Sequence, residues 1–248
     1  MRTECSDLEW KLRCDLAACY RLIALHGWDD LVFTHISARI PETDHHFLIN
    51  PYGMMFEEIT ASSLVKVDMT GQPVGPSAYP VNPAGFVIHS AIHAARDDVI
   101  CVLHTHTTAG VAVAAQTQGL LAISQQASVI LPMLAYHDYE GLAVRDDEKR
   151  RMQANLGSKQ AMILRNHGLL TVGSSMAAAF LLMFTLERAC QIQIAAQAGG
   201  GSLETIRRHI LEGTELAVTK ATGGMDASVL VWPALLRRLN RLNPGYDQ

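Results

Sequence analysis

Two stretches decide how this chain is read: Ile100-Cys101-Val102-Leu103-His104-Thr105-His106 and, further on, Met162-Ile163-Leu164-Arg165-Asn166-His167-Gly168. Each is a short apolar run that ends in histidine. A run of about four to eight apolar residues bounded by turn signals reads as a strand buried on both faces. Alternation along an extended chain sends His104 and His106 to the same side. Two imidazoles at one strand end can converge on a single ion, with nitrogen–zinc distances of about 2.0–2.1 Å. His167 follows a second buried strand, and the strand ends of α/β sheets are where ligands bind. Three imidazoles would leave a coordination position open, which is the pattern of a catalytic metal site.

Outward from these strands the chain alternates strand and helix signals. Asp7 is positioned to cap a helix running from Leu8 towards His26, ended by Gly27, and short β-like pieces follow at Leu31–Ile40, Phe47–Ile49 and Leu64–Val67. Asn82-Pro83 is a helix start, with the cap and the first-turn proline adjacent, and that helix should reach Arg96. Thr107 or Thr108 can cap the alanine-rich helix after His106. Ser128 to Leu131 reads as a strand, Asp146 to Leu156 as a helix, and Ala161–Leu164 and Leu169–Val172 as strands. A long helix from Ser175 to Ala198 ends in Gly199-Gly200-Gly201, and helical patterns recur near Leu203–Glu212 and Ala227–Leu242. Apolar strands repeatedly followed by helices describe a sheet between helical layers. The expected fold is an α/β class, three-layer α/β/α sandwich with a mixed central β-sheet. With no internal repeat and no long Pro/Gly/Ser linker, residues 1–248 are expected to form one domain, its last helices following the glycine hinge.

Composition narrows the function classes. The chain has 248 residues, 49% of them apolar and 18% charged, with a net charge of −4. That supports a sizeable core and supplies no basic excess for a nucleic acid partner. The five cysteines, Cys5, Cys14, Cys19, Cys101 and Cys190, are odd in number and lack paired-ligand spacing, which points to a reducing compartment. Met1 to Trp10 carries acids and no apolar leader. Met176 to Leu186, the most apolar segment, is short of the roughly 20 residues of a membrane span. A cytoplasmic, membrane-free protein is expected. Among the other histidines, His89 and His93 share a helix face and read as structural, or as orienting the metal ligands. His45-His46 reads as a solvated loop.

Several motifs then occur in a telling order. Asn82-Pro83-Ala84-Gly85-Phe86 with His89, Val102-Leu103-His104-Thr105-His106-Thr107, Tyr136-His137-Asp138-Tyr139-Glu140-Gly141 and Leu164-Arg165-Asn166-His167-Gly168-Leu169 together resemble the class II aldolase/adducin family. Phe47-Leu48-Ile49-Asn50-Pro51-Tyr52-Gly53 and Ile123-Ser124-Gln125-Gln126 bring it nearest to the adducin-head branch. The resemblance runs from the first helix to about Ala198. It implies a three-layer α/β/α domain, commonly a homotetramer with sites near subunit interfaces. It also implies a divalent metal, most often zinc, on His104, His106 and His167, which polarises a ketose carbonyl when a C–C bond breaks.

The sequence departs from the aldolases of that family in three places. Their acidic proton-transfer residue falls on Gly85. Their phosphate-gripping Asn, Thr-Gly and Ser-Ser fall on His35, Tyr52-Gly53 and Pro83-Ala84, where Pro83 has no N–H and Ala84 no hydroxyl. The segment that supplies a Tyr or Asp acid/base carries Gln125-Gln126. Replacement acids could come from the Tyr136–Glu140 segment, with His137, Asp138 and Glu140 as the candidates. The expected function is a metal-dependent carbon–carbon lyase, aldolase- or decarboxylase-type, on an unphosphorylated hydroxy- or keto-acid or carbonyl substrate; the missing acid at Gly85 tilts this slightly towards decarboxylation. The alternative is a non-catalytic, adducin-like oligomeric scaffold, weakened by the absence of a long basic tail before Gln248. A sugar-phosphate epimerase is disfavoured by the same phosphate positions.

Overall fold

The first helix, α1 (Asp7–Leu25), begins one residue earlier than the sequence signal suggested. Ser6 is its cap, with Oγ accepting from the Glu9 N–H at 3.1 Å, and Gly27 at φ +66° ends it. The computed structural model describes residues 5–41, 43, 45–75, 77–142 and 145–248; the first four residues, read above as part of a leaderless terminus, lie outside it, as does the side chain of Ala84. Three short strands follow: β1 (His35–Arg39), β2 (Phe47–Ile49) and β3 (Val65–Val67). The Asn82-Pro83 signal opens α2 (Pro83–Ala95), and β4 (Cys101–Thr105) takes His104 into the strand. Thr107 caps α3 (Thr108–Ala114) by accepting from the Gly110 N–H at 3.2 Å.

The strand expected at Ser128–Leu131 is a helix, α4 (Gln125–Ile130). Ser124 Oγ caps it by accepting from the Ala127 N–H at 3.1 Å. Ala127 and Ile130, one helical turn apart, are its buried apolar residues. In so short a run a helical turn and a strand carry the same apolar pattern. The strand of that region comes later, as β5 (Leu134–His137), before α5 (Glu148–Leu156). β6 (Ala161–Leu164) and β7 (Gly168–Gly173) form a hairpin, and α6 (Met176–Ala198) follows. The pattern near Leu203–Glu212 shortens to α7 (Arg208–Glu212), and Gly213 separates it from α8 (Thr214–Thr222), which the sequence reading did not anticipate. The last helix is α9 (Ser228–Leu242).

The strands form one mixed sheet in the order β3-β2-β1-β4-β7-β6-β5, antiparallel except for the β5–β6 pair. Alternation sorts the side chains into two layers. Ile36, Ala38, Cys101, Leu103, Ile163 and Leu169 face α1, α3, α4, α6 and α9. Val102, Met162, Leu164, Leu170 and Val172 face α2 and α5. The three-layer α/β/α sandwich with a mixed sheet is therefore present. By length and composition α6 could cross a membrane. Here it lies along β7 and against α3 and α4, with Phe180, Met183, Leu186 and Cys190 in the core.

Two polar ties hold α1 to the rest. Tyr20, fully buried, hydrogen-bonds through its hydroxyl to the carbonyl of Ile36 and to Asn50 Oδ1 (2.8 Å), and accepts from the backbone N–H groups of Ile36 (2.7 Å) and Asn50 (3.1 Å). The Arg21 guanidinium donates to the Ile59 carbonyl (2.7 Å), to Asn243 Oδ1 (2.7 Å) and to the Pro244 carbonyl (2.6 Å). Beside it the Ala61 N–H donates to the Tyr246 carbonyl at 2.7 Å. Tyr20→Phe keeps the ring packing but strips the buried Ile36 and Asn50 amides of their acceptor. It should lower stability by about 2 kcal/mol or more, read as a shifted urea midpoint at unchanged slope.

Candidate metal centre

β4 pairs with β1 on one side and β7 on the other, with His104 opposite His35 and Leu170. That register puts the His104 ring on the α2/α5 face of the sheet. His106 extends past the strand end, and His167 arrives on the turn of the β6–β7 hairpin. The turn depends on two residues. Asn166 takes φ +56°, a left-handed conformation that Asn tolerates better than most residues. At Gly168 a Cβ would collide with the backbone carbonyl of Thr105 and stand 3.1 Å from the His106 ring. Only glycine lets β7 come this close to the end of β4.

The three rings meet. Their centroids lie 4.6 Å (His104–His106), 4.7 Å (His104–His167) and 4.8 Å (His106–His167) apart, and one nitrogen from each falls within 4.8 Å of the others. The partners of the two Nδ1 atoms fix where the protons are. His104 Nδ1 lies 2.9 Å from the Leu169 carbonyl, which can only accept, so Nδ1 carries the hydrogen. His106 Nδ1 likewise donates to Asp30 Oδ2 at 2.9 Å. Both Nε2 atoms are then bare lone pairs, yet they stand 2.8 Å apart. Two facing lone pairs repel unless a cation draws them together, so the donor set fits a divalent ion. Burial first, and then the neighbouring rings, hold His104 well below the usual histidine range and bring His167 down to about 4. Both are therefore neutral donors at physiological pH.

Asp30 is a site residue that the sequence reading missed. It sits in the loop between α1 and β1. The antiparallel β1–β4 register, which sets residues before His35 alongside those after His104, is the signal that would have found it. A carboxylate accepting the second N–H of a ligand histidine fixes the ring and raises its basicity. His89 and His93 do not orient the triad. They bond to His35 and Ser37 instead.

The replacement-acid candidates lie on the rim. His137 is buried, with Nδ1 accepting from Asn155 (2.8 Å) and Nε2 donating to Glu148 (3.3 Å), so both nitrogens are engaged by α5. Glu140 is gripped by Arg151 at 2.6 Å and Arg145 at 3.0 Å, and the Arg151 bond above all holds its pKa below the usual carboxylate range. Asp138 is exposed. A cavity of about 10 Å³ separates this segment from His167, room for one water. A larger hollow of about 730 Å³ lies at the β3 edge of the sheet, where Glu9 bridges Arg13 (2.9 Å) and Lys66 (3.0 Å).

Comparison with known proteins bears on the whole chain. Residues 14–194 match the class II aldolase and adducin N-terminal domain. A Pseudomonas aeruginosa protein with a provisional aldolase class 2 name is 57% identical over all of this chain and 96% of its own length. Rat alpha-adducin is 48% identical over 79% of this chain, a stretch that makes up 27% of the adducin. Among solved structures, an aldolase II superfamily protein from Pseudomonas syringae superposes with a TM-score of 0.94 at 48% identity, covering 100% of this chain and 99% of that one. An L-fuculose 1-phosphate aldolase from Glaciozyma antarctica superposes at 0.82 with 30% identity, covering 95% and 92%. With the domain match spanning most of the sequence and the triad built as described, the chain belongs to the class II aldolase and adducin family.

Proposed function

We propose that this protein is a metal-dependent carbon–carbon lyase, aldolase- or decarboxylase-type, acting on an unphosphorylated hydroxy- or keto-acid. The observation that carries the reading is the convergence of two hydrogen-free Nε2 atoms 2.8 Å apart beside His167. His104, His106 and His167 would hold the ion, with zinc the metal proposed. Polarisation of a substrate carbonyl is the chemistry a divalent ion supplies in such a site. The chain's own contribution is positional. The Leu169 carbonyl and Asp30 lock two ligand rings, and Gly168 lets the third approach.

The acid/base side is sparse. Position 85 has no side chain to take a proton, and general acid–base catalysis is worth about 10²–10⁴-fold where it operates. Decarboxylation begins by loss of CO₂ and needs no base at that step, so it suits this site better than retro-aldol cleavage. The Glaciozyma neighbour is named for a phosphorylated sugar. Pro83 and His35 at the phosphate positions speak for an unphosphorylated substrate here. The proposal includes a homotetramer in the cytoplasm. A second reading, an adducin-like scaffold without turnover, is favoured by the 48% identity to alpha-adducin together with Gly85.

Purified protein should contain about one divalent ion per chain, and the double substitution His104→Ala, His106→Ala should abolish it. Gly168→Ala should leave the chain folded by circular dichroism yet weaken metal binding by about tenfold or more, because the hairpin is pushed off β4. A panel of keto- and hydroxy-acids that includes 3-oxo acids, whose polarised carbonyl can take the electron pair left by departing CO₂, should release CO₂ or aldehyde with turnover that stops on chelation and returns with zinc. Turnover that survives chelation, or efficient cleavage of a phosphorylated sugar, would count against the reading. A metal-loaded protein inert on the whole panel would favour the scaffold.

A further inference from the structure

Two of the three converging histidines have their outer nitrogen fixed by the protein, and the third does not. His104 Nδ1 donates to the Leu169 carbonyl and His106 Nδ1 to Asp30. His167 donates its backbone N–H to the Leu164 carbonyl at 3.1 Å, but among the described residues its ring has no hydrogen-bond partner. A ligand imidazole almost always gives its second nitrogen to a carboxylate, a carbonyl or a water, which fixes the plane of the ring.

A complementary deficit lies across the small cavity beside His167. Glu148, the first residue of α5, is buried. Its Oε1 is 3.3 Å from His137 Nε2, while Oε2 is buried with no hydrogen-bond partner on the protein. A buried carboxylate oxygen without a donor is strongly disfavoured. The cations nearby are committed elsewhere. Arg165 donates to the Gln116 carbonyl at 2.7 Å and lies over the Tyr136 ring, and Arg151 grips Glu140. Glu148 and His167 both line the cavity, together with the buried apolar side chains of Met152 and Leu164. Its volume of about 10 Å³ admits one water, so a single molecule faces both walls.

We infer that this cavity binds one ordered water, which donates to Glu148 Oε2 and bonds to the ring nitrogen of His167 turned away from the triad. Glu148 is then a positioning residue for His167, one water removed. Water suits the place because it donates to a carboxylate and accepts from an imidazole N–H at once, and such a bridge is nearly as good as a direct bond. The consequence for metal binding rests on the metal-site reading above; the water itself does not. With it, each ligand ring is oriented from behind: His104 by a carbonyl, His106 by a carboxylate, His167 by a carboxylate through water.

The test is a pair of wild-type crystal structures, with and without zinc, at a resolution that places waters, together with zinc affinities measured against a chelating dye. In both crystals one ordered water should lie about 2.7–3.2 Å from Glu148 Oε2 and from a nitrogen of His167. Glu148→Met, similar in length but without an acceptor, should lose the water and bind zinc about tenfold more weakly. Glu148→Gln, whose amide oxygen still accepts, should keep the water and stay within about threefold of wild type. Asn155→Ala removes a bond between α5 and His137 Nδ1 without touching the water, and should leave zinc affinity unchanged. A loss there equal to that of Glu148→Met would mean a general loosening of α5 and overturn the proposal. So would a dry cavity in the wild type, a water bonded to Glu148 alone, or full zinc affinity in Glu148→Met. Wild type that takes up no zinc would bring down the metal-site reading instead, and the zinc-free crystal would still decide on the water.

Discussion

The histidine triad depends on how near two backbones come, the Thr105 carbonyl on β4 and Cα of Gly168 on β7. No side chain fits between them. Because they touch, the β6–β7 turn overhangs the end of β4, and His167 reaches rings that precede it by more than a whole helix–strand unit. The left-handed Asn166 completes the turn. Around this contact the antiparallel register does the remaining placement, with His35 opposite His104 on one side and Leu169 supplying its carbonyl on the other. The ligand set is thus a property of the sheet, and the helices chiefly bury it.

Burial gives the site its electrical character. Its inner rings are neutral, and the carboxylate bonded to them, Asp30, stands one hydrogen bond behind His106. At Gly85, where the aldolases of the family carry an acid, a histidine ring from β1 fills the space. Such a cluster gathers neutral nitrogen donors and has no acid at position 85. Of the candidate acids, His137 and Glu140 are each engaged by other side chains, and Asp138 is exposed.

Most of this was legible in the sequence where the pattern was long or chemically marked. The apolar runs before His104 and His167 read as strands, Asn82-Pro83 as a helix start, and the three histidines as a converging set. The sequence misled where runs were short: Ser128–Leu131 is too brief to separate one helical turn from a strand, and α8 has little apolar periodicity behind Gly213. Asp30 and the His35–His89–Ser37–His93 series were out of reach for a different reason. Asp30 is placed by cross-strand register, and His89 and His93, though legible as one face of α2, find His35 and Ser37 only through the packing of that helix on β1, which no local spacing encodes.

Arg21 illustrates a cost of tying the first helix to the last turn. Its guanidinium finds acceptors on Asn243 and Pro244, so the acceptors that settle α1 are made by the ribosome long after α1 itself. At a synthesis rate of roughly 5–20 residues per second the delay is on the order of 10–40 s. Through that interval α1 carries a guanidinium with part of its native coordination missing, so full docking of the amino-terminal helix waits until residues 243 and 244 have been made.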